Sequence, residues 1–321
     1  MSHILDVPGL KVGHATDRER RTGVSTAVFD TPAVAAVAIH GGAPGTRETD
    51  ALDPSRLSPG VDAICLTGGS AFGLAAADGV MLALAARGRG FPVREHRVPI
   101  VPAAVVFDLS GERPDFRVLG EASVEAAFGP PDRTLGTIGA GTNATTATLK
   151  GGFGSASETV GAATVGAMVV VNALGSTVAL NGPWFRAAPF EVDGEFGGLP
   201  PAPASADFSG ATTKAGEVLR SNTTIALVAT DAALTGSEAQ RLAVAAHDGL
   251  ALAIWPAHTV MDGDTVFAAS TGRAPAPASL TEAMALHAAA ARCLARAVAR
   301  GVYAATPHPA DRMPTWHQRF G

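Results

Sequence analysis

Thr223 stands in the run Ser221-Asn222-Thr223-Thr224, between a long irregular segment and an apolar run, 224–230. Such a run is typical of the start of a strand, because Asn and Ser favour turns and Thr favours strands. It also permits chemistry. A Thr hydroxyl is a poor nucleophile at its own pKa, but a free α-amine on the same residue can act as its base. The reference pKa of that amine is about 7.7–8.0, close to the pH at which most enzymes work.

An internal Thr223 gains a free α-amine only if the peptide bond before it is cut. The Thr223 hydroxyl can itself attack the Asn222 carbonyl carbon, and water can then open the resulting ester. Segment 181–221, which precedes this bond and contains the tract 199–204 (LPPAPA), is irregular and long for a loop in a compact domain. Such a loop would let the freed end move away from the site. The sequence therefore allows self-cleavage between Asn222 and Thr223.

Asp262 and Asp264, in the run MDGDT, point to the same side if the chain is extended. The pair is typical of a turn, and it also fits two groups that orient Thr223 and hold the positive charge of its amine. A calcium loop is disfavoured, because no Glu occupies the final ligand position downstream.

Lys150 and Asn172 are the other polar candidates. Lys150 stands among glycines, where it is either a solvated charge in a turn or, in a cleft, the partner of a carboxylate. Asn172 follows the apolar run MVVV, where it either caps a turn or donates a hydrogen bond to a developing oxyanion.

Other sequence patterns exclude several kinds of site. The glycine-rich stretches 66–73 and 139–144 match neither a phosphate loop nor a dinucleotide loop, and there is no G-x-S-x-G motif. The histidines show no metal-ligand spacing, so neither a metal nor a cofactor is expected. Cys65 and Cys293 lie in apolar or alanine-rich segments, which indicates buried thiols rather than a disulfide framework.

Composition restricts the class of protein. The chain has 321 residues with 47% hydrophobic and 17% charged residues, enough to bury a large core in one or two domains. The formal charge is −5 and no basic block occurs, which argues against nucleic acid as a partner. Neither a secretory signal nor an apolar run of membrane-spanning length is visible, so we expect a cytoplasmic protein with no membrane partner.

Hydrophobic periodicity predicts the elements that must position these residues. Blocks of helix and strand alternate without a regular βαβ series, which indicates layered α and β with a mixed or antiparallel sheet. The predicted strands are 61–67, 100–107, 163–171, 224–230 and 264–269, with two further short strands in 24–40 broken at residues 30–32. The predicted helices follow a glycine turn after residue 67 and cover 120–128, 236–255 and 280–303.

Taken together, several long motifs resemble the L-aminopeptidase/D-esterase family, which includes β-peptidyl aminopeptidases and the nylon-oligomer (6-aminohexanoate-oligomer) endohydrolases. The similarity runs in unbroken order over roughly residues 5 to 300. The motifs are 9–17 (GLKVGHATD), 40–50 (HGGAPGTRETD), 66–74 (LTGGSAFGL), 150–157 (KGGFGSAS), 229–232 (ATDA) and 262–264 (DGD).

The resemblance implies an α+β fold, a four-layer αββα sandwich of the self-processing N-terminal-nucleophile-like type. It implies one catalytic domain over 1–321, cut into an α chain, 1–222, and a β chain, 223–321. It also implies assembly of the processed units into a homo-oligomer, a tetramer or larger. By position, Thr223 matches the nucleophile and Asn172 the oxyanion-stabilising residue, while Lys150, Asp262 and Asp264 match residues that position the nucleophile.

This chain also departs from parts of the family pattern. The aminopeptidase branch typically cuts itself between Gly and Ser, and it has Ser-Gly-acid at the position of Asp262-Gly263-Asp264. The Asn222–Thr223 bond and the Asp-Gly-Asp run of this chain are instead similar to the nylon-hydrolase branch. Phe107 occupies about the position of a substrate-cleft tyrosine in some nylon hydrolases, which would remove a hydroxyl there. Asn143 interrupts a glycine-rich run.

The leading functional hypothesis is an amide hydrolase with an N-terminal Thr nucleophile, acting on small peptides or ω-amide oligomers. An aminopeptidase of the L-aminopeptidase/D-esterase type is the alternative closest to it. An acyltransferase of the ornithine acetyltransferase type, a related fold that also cleaves itself before Thr, is another. A small-molecule binder that is never cut is the non-enzymatic alternative, and the mass of the purified chain distinguishes it.

Overall fold

The computed structural model describes residues 2–57, 60–210, 213–214 and 222–321, and within them it contains eleven strands and five α-helices. The strands are β1 (Leu10–Asp17), β2 (Thr22–Ile39), β3 (Thr46–Arg47), β4 (Val61–Thr67), β5 (Phe91–Val93), β6 (His96–Val98), β7 (Ala103–Val105), β8 (Gly152–Val160), β9 (Ala163–Asn172), β10 (Thr223–Ala232) and β11 (Thr265–Ala274). The helices are α1 (Ala76–Ala86), α2 (Phe116–Ala127), α3 (Gly236–Ala253), α4 (Leu280–Tyr303) and α5 (Trp316–Phe320).

The long strand β2 links two halves of the β-structure. Its first part pairs antiparallel with β1 and β4, and its last part, 34–39, pairs antiparallel with β11. The sequence predicted two strands broken at residues 30–32, but the chain stays extended there, with a shift in register between Val28 and Ala33. Pro32 is tolerated because it lies where β2 passes from one set of partners to the other and no ladder bond is needed.

The strand order is β3-β7-β4-β2-β11-β10-β9-β8, with β1 also on β2 and β5 paired with β6 apart from this sheet. Strands β4 and β7 are parallel, as are β10 and β11, and the other pairs are antiparallel. The prediction of a mixed sheet is therefore confirmed. Around β2 the strands form a first sheet (β1, β2, β4, β7, β3) and a second sheet (β2, β11, β10, β9, β8).

Alternating side chains divide the interior into three apolar layers. One cluster lies between the two sheets and contains Leu66 of the first sheet with Met168 and Phe267 of the second. Neighbouring side chains on the same strands point away from this layer, as the period of two requires. Cys65 thus packs with α1 and α2, and Val169 packs with α3 and α4. The result is the predicted αββα order of layers.

Small residues let the layers approach closely. A Cβ added to Gly154 on β8 would lie 1.8 Å from the carbonyl oxygen of Ala297 on α4, so only glycine fits there. Both cysteines are fully buried free thiols, as predicted. Burial raises the pKa of Cys65 and of Cys293 to about 12.

The remaining predicted elements are confirmed with adjusted ends, except that the strand predicted over 100–107 is only the three-residue β7. Strands β1 and β8 were not predicted. In the part of the chain that the structure describes, none of the helices combines the length and apolar character needed to cross a bilayer.

Candidate active site

The ends of three neighbouring strands of the second sheet lie side by side. Asn172 ends β9, Thr223 begins β10, and Asp264 directly precedes β11. Because β9 runs antiparallel to β10 while β11 runs parallel to it, these three ends fall on the same side. Thr223 lies opposite Asn172 in register, and an isolated bridge joins Asn222 to Asp262. The sheet topology therefore brings together five of the residues that the sequence predicted.

The Thr223 hydroxyl lies against the peptide bond that was predicted to break. Its Oγ1 donates a hydrogen bond to the carbonyl oxygen of Asn222, and the N–H of Gly263 donates to the same oxygen at 3.1 Å. A Cβ on Gly263 would lie 2.7 Å from Thr223 Oγ1, so this close approach requires glycine. Thr223 and Asn222 are both buried. This arrangement places a hydroxyl group and a hydrogen-bond donor on one carbonyl group.

Asp264 is held by backbone donors on both sides of the site. Its Oδ1 accepts the N–H of Thr224 at 2.8 Å, and its Oδ2 accepts the N–H of His258 at 3.0 Å. The Nδ1 of His258 lies 2.8 Å from the same Oδ2. Burial by itself would lower the pKa of His258, but the hydrogen bond and charge of Asp264 outweigh it and raise that pKa.

Asp262 faces the loop before it. Its Oδ2 accepts hydrogen bonds from the N–H of Thr259 at 3.0 Å and from the Thr259 hydroxyl at 2.6 Å, and its Oδ1 accepts the N–H of Leu174 at 3.3 Å. Burial, together with the nearby charge of Asp264, raises the pKa of Asp262. In the described chain, neither carboxylate hydrogen-bonds to the Thr223 hydroxyl, so their predicted role in holding the freed amine stays a prediction.

Both polar atoms of the Asn172 side chain are held by hydrogen bonds. Its Nδ2 donates to the backbone oxygen of Phe107 at 3.1 Å, and its Oδ1 accepts the N–H of Thr145 at 3.0 Å. The predicted substrate contact, Phe107, thus supports Asn172 through its backbone, and the residue as a whole is 40% exposed. Asn143 donates through Nδ2 to the oxygen of Asp108 at 2.8 Å and so ties down the same segment.

Lys214 is a neighbour of the site that sequence reasoning missed. Its Nζ lies 3.2 Å from Oδ1 and 3.4 Å from the backbone oxygen of Asn172. Burial lowers the pKa of Lys214 to about 7, against the opposing charge of Asp262. Its only sequence signal is that it is the single Lys of segment 181–221.

Lys150 is placed differently from the other predicted residues. Its buried ammonium group pairs with Oδ2 of Asp311 at 2.7 Å, and Arg21 also pairs with Asp311. Burial lowers the pKa of Lys150, while Asp311 acts in the opposite direction. Among the described residues, this ammonium group makes no hydrogen bond to Thr223, Asp262 or Asp264. The bridge between Lys150 and Thr145 puts its backbone next to the residue that orients Asn172, and its catalytic role stays a prediction.

A separate apolar cavity of about 510 Å³ lies beside the segment 184–208. Trp184, Phe196, Leu199 and Leu252 are among its lining residues. None of the predicted site residues lines this cavity, so it is distinct from the arrangement around Thr223.

Comparison with known proteins is consistent with this geometry. An L-aminopeptidase D-Ala-esterase/amidase from Ochrobactrum anthropi, described as a new variant among the Ntn hydrolase fold, superposes with a TM-score of 0.71 over 99% of this chain and 92% of that chain at 19% identity. The fold is therefore the αββα sandwich of the N-terminal-nucleophile hydrolases.

Sequence relatives give the family. Peptidase family S58 matches residues 2–313. An uncharacterized aminopeptidase of Mycobacterium tuberculosis is 44% identical over 344 residues, covering 100% of this chain and 98% of that protein. A 6-aminohexanoate-oligomer endohydrolase of Paenarthrobacter ureafaciens is 32% identical over 296 residues, covering 85% and 76%. The chain belongs to peptidase family S58, and it is a hydrolase of amide bonds. The family resemblance is confirmed, although the mycobacterial relative is closer in sequence than the nylon-oligomer hydrolase.

Proposed function

We propose that this chain cleaves its own Asn222–Thr223 bond and then hydrolyses small amide substrates with Thr223 as the nucleophile. The observation that carries the proposal is the Thr223 hydroxyl beside the Asn222 carbonyl, whose oxygen also accepts the N–H of Gly263. A nucleophile and a donor on the same carbonyl group are the two parts that acyl transfer needs.

Self-cleavage begins when Thr223 Oγ1 bonds to the carbonyl carbon of Asn222. Negative charge then develops on the Asn222 oxygen, where the Gly263 N–H stabilises it. The hydroxyl proton passes to the Thr223 nitrogen as the C–N bond breaks, which leaves an ester and a free α-amine. Water adds to the ester carbon and releases the Asn222 carboxylate and the Thr223 hydroxyl.

The same groups then serve substrate hydrolysis. The neutral α-amine of Thr223 takes the proton from Oγ1 as this oxygen attacks the amide carbon of the substrate. Once the Asn222 carboxylate has left, the Gly263 N–H can donate to the oxyanion of the substrate, together with Nδ2 of Asn172. The amine that leaves takes up the proton, and water then hydrolyses the acyl-enzyme ester. Asp264, through the Thr224 N–H, keeps this strand end in place.

The proposed substrates are small peptides and linear ω-amide oligomers. The relative named a 6-aminohexanoate-oligomer endohydrolase supports the oligomers, and the Asn–Thr and Asp-Gly-Asp residues favour that side of the family. Aminopeptidase activity is the second candidate, because the 44% identical mycobacterial relative is named an aminopeptidase.

Two assays test the proposal. Wild type is expected to be cut and active, Thr223→Ala uncut and inactive, and Thr223→Ser cut at a changed rate because the hydroxyl is kept. Rates on 6-aminohexanoate oligomers and on aminoacyl p-nitroanilides are then compared side by side. Fast anilide release without oligomer cleavage would assign the protein to the aminopeptidases, and an active but uncut chain would overturn the mechanism.

A further inference from the structure

Three histidines that are far apart in sequence lie together next to Asp264. His40 directly follows β2, His247 is on α3, and His258 is in the loop between α3 and β11. One ring nitrogen from each lies within 4.8 Å of the others. The ring centroids of His40 and His247 are 3.7 Å apart, and those of His247 and His258 are 4.8 Å apart. The spacing of these histidines along the chain does not indicate this cluster.

The two less exposed rings are each fixed through one nitrogen. Nδ1 of His258 pairs with Oδ2 of Asp264 at 2.8 Å, and Nε2 of His247 lies 2.9 Å from the backbone oxygen of Ala38. Metal-ligating histidines are usually held in this way, with the second ring N–H on a carboxylate or a carbonyl oxygen.

The other nitrogen of each of these rings is buried and unsatisfied. Among the described residues, Nδ1 of His247 has no hydrogen-bond partner, and His247 is only 2% exposed. Nε2 of His258 makes no hydrogen bond of normal geometry either, although the backbone of His247 lies near this ring. Buried polar atoms are normally hydrogen-bonded, so two such ring nitrogens in one cluster indicate that a ligand binds there. A metal ion bound to both would satisfy them.

Access from solvent also suits a metal ion. His40 is exposed at the surface, which gives an ion a path from solvent.

We propose that His40, His247 and His258 form a binding site for a divalent transition-metal ion, Zn²⁺ in the first place. Three imidazoles suit Zn²⁺, whereas Mg²⁺ and Ca²⁺ prefer oxygen ligands. A tetrahedral site with Zn–N distances of about 2.0–2.1 Å needs the three nitrogens about 3.4 Å apart. The exposed His40 ring is stacked on His247 at an interplanar angle of 16°, so it must turn from this orientation to direct a nitrogen at the shared ion, and water completes the coordination.

This site lies outside the proposed reaction centre. The ion would bind Nε2 of His258, whose Nδ1 is on Asp264, and Asp264 holds the Thr224 N–H with its other oxygen. Zn²⁺ would therefore bind behind Asp264 without touching Thr223, and its effect is expected in thermal stability rather than in turnover. Binding does not depend on self-cleavage, so it is expected in the uncut Thr223→Ala variant as well.

Calorimetric titration of Zn²⁺ into the untagged, EDTA-treated and dialysed full chain tests the proposal. We expect one Zn²⁺ per chain, a rise in melting temperature, and the visible bands of tetrahedral cobalt when Co²⁺ is used instead. His40→Ala removes an exposed ligand and should weaken binding at least tenfold. His96→Ala, at another exposed histidine, is the matched control and should change nothing.

Three outcomes would overturn the site. One is the absence of saturable binding, and another is weak binding that His40→Ala and His96→Ala reduce equally. The third is binding seen only in the cleaved chain, because that would assign the ion to the free amine of Thr223. If a His247→Gln variant does not fold, the His40→Ala titration and the cobalt spectrum still decide the question.

Discussion

At the scale of single residues, the site depends on groups that fix the ends of the strands. Asp264 supports both Thr224 and His258, and Gly263 brings its N–H to the carbonyl next to Thr223. Asp262 and Thr223 could be singled out from their types and spacing, the structure brings them to one place, and their chemical roles stay predictions. Lys214 could not be singled out, because its role depends on where an irregular segment folds.

Replacing Asp264 with Asn is expected to lower turnover by roughly 10²–10⁴-fold, the range for positioned acid–base groups. An amide has one acceptor oxygen, so it cannot serve both the Thr224 N–H and the donors of His258. Asp262→Asn is expected to fall in the same range. Asp231→Asn is the matched control, because Asp231 is a buried carboxylate elsewhere on β10 that accepts the N–H of Thr164. If Asp231→Asn lowers the steady-state rate equally, Asp262 and Asp264 contribute only to general stability.

The pH dependence of the rate tests the amine of Thr223. Only the neutral amine can accept the hydroxyl proton, so turnover is expected to rise with pH and level off above the amine pKa. In the cut chain, the charges of Asp262 and Asp264 would raise the pKa of this amine, and burial would lower it. EDTA is expected to leave turnover intact, because each proposed step uses only protein groups. A rate that falls as pH rises through neutrality, or that EDTA abolishes, would contradict the mechanism.

At the scale of elements, strong periodicity made β4, β10, α3 and α4 predictable. Strands β1 and β8 were missed because glycines interrupt their apolar pattern, although close packing against a helix is what requires Gly154. The break predicted in β2 was wrong because local turn residues were outweighed by pairing with strands of both sheets.

Gly154→Ala tests whether β8 packs as closely against α4 as described. The added methyl group would lie 1.8 Å from the Ala297 oxygen, so α4 must move. We expect a loss of at least about 1–3 kcal/mol in the free energy of unfolding, the usual range for overpacking. Gly236→Ala is the control, since its nearest neighbouring atom lies 3.7 Å from the added Cβ. Urea unfolding measures both variants, and an unchanged midpoint for Gly154→Ala would contradict the packing described here.

At the scale of the whole molecule, the order of layers could be predicted from the family resemblance. Which residues distant in sequence come into contact could be seen only in the folded structure. His40, His247 and His258 come from three elements, and only the packing of α3 on the second sheet unites them. The processed tetramer or larger assembly remains a prediction, which sedimentation of the purified protein checks.

Buried neutral histidines predict acid sensitivity. Burial lowers the pKa of His3 to about 3 and those of His14 and His247 to about 4. Between their folded values and about 6.5 the unfolded chain binds more protons, so stability falls as pH drops through this window and is constant above it. Each group contributes up to about 1.4 kcal/mol per pH unit.

Thermal unfolding at pH 7 and pH 5, in EDTA, measures this effect. His14→Gln should lose less stability than wild type over that range, because one titrating group is removed. Equal losses in both proteins would show that His14 is not neutral in the folded chain.

Whether Thr223 becomes a chain terminus is decided by the intact mass of the purified protein. Two fragments are expected, one ending at Asn222 and one beginning at Thr223, and Thr223→Ala is expected to remain a single uncut chain. A fully active wild-type protein with one intact mass, or a Thr223→Ala variant cut at the same bond, would contradict this expectation.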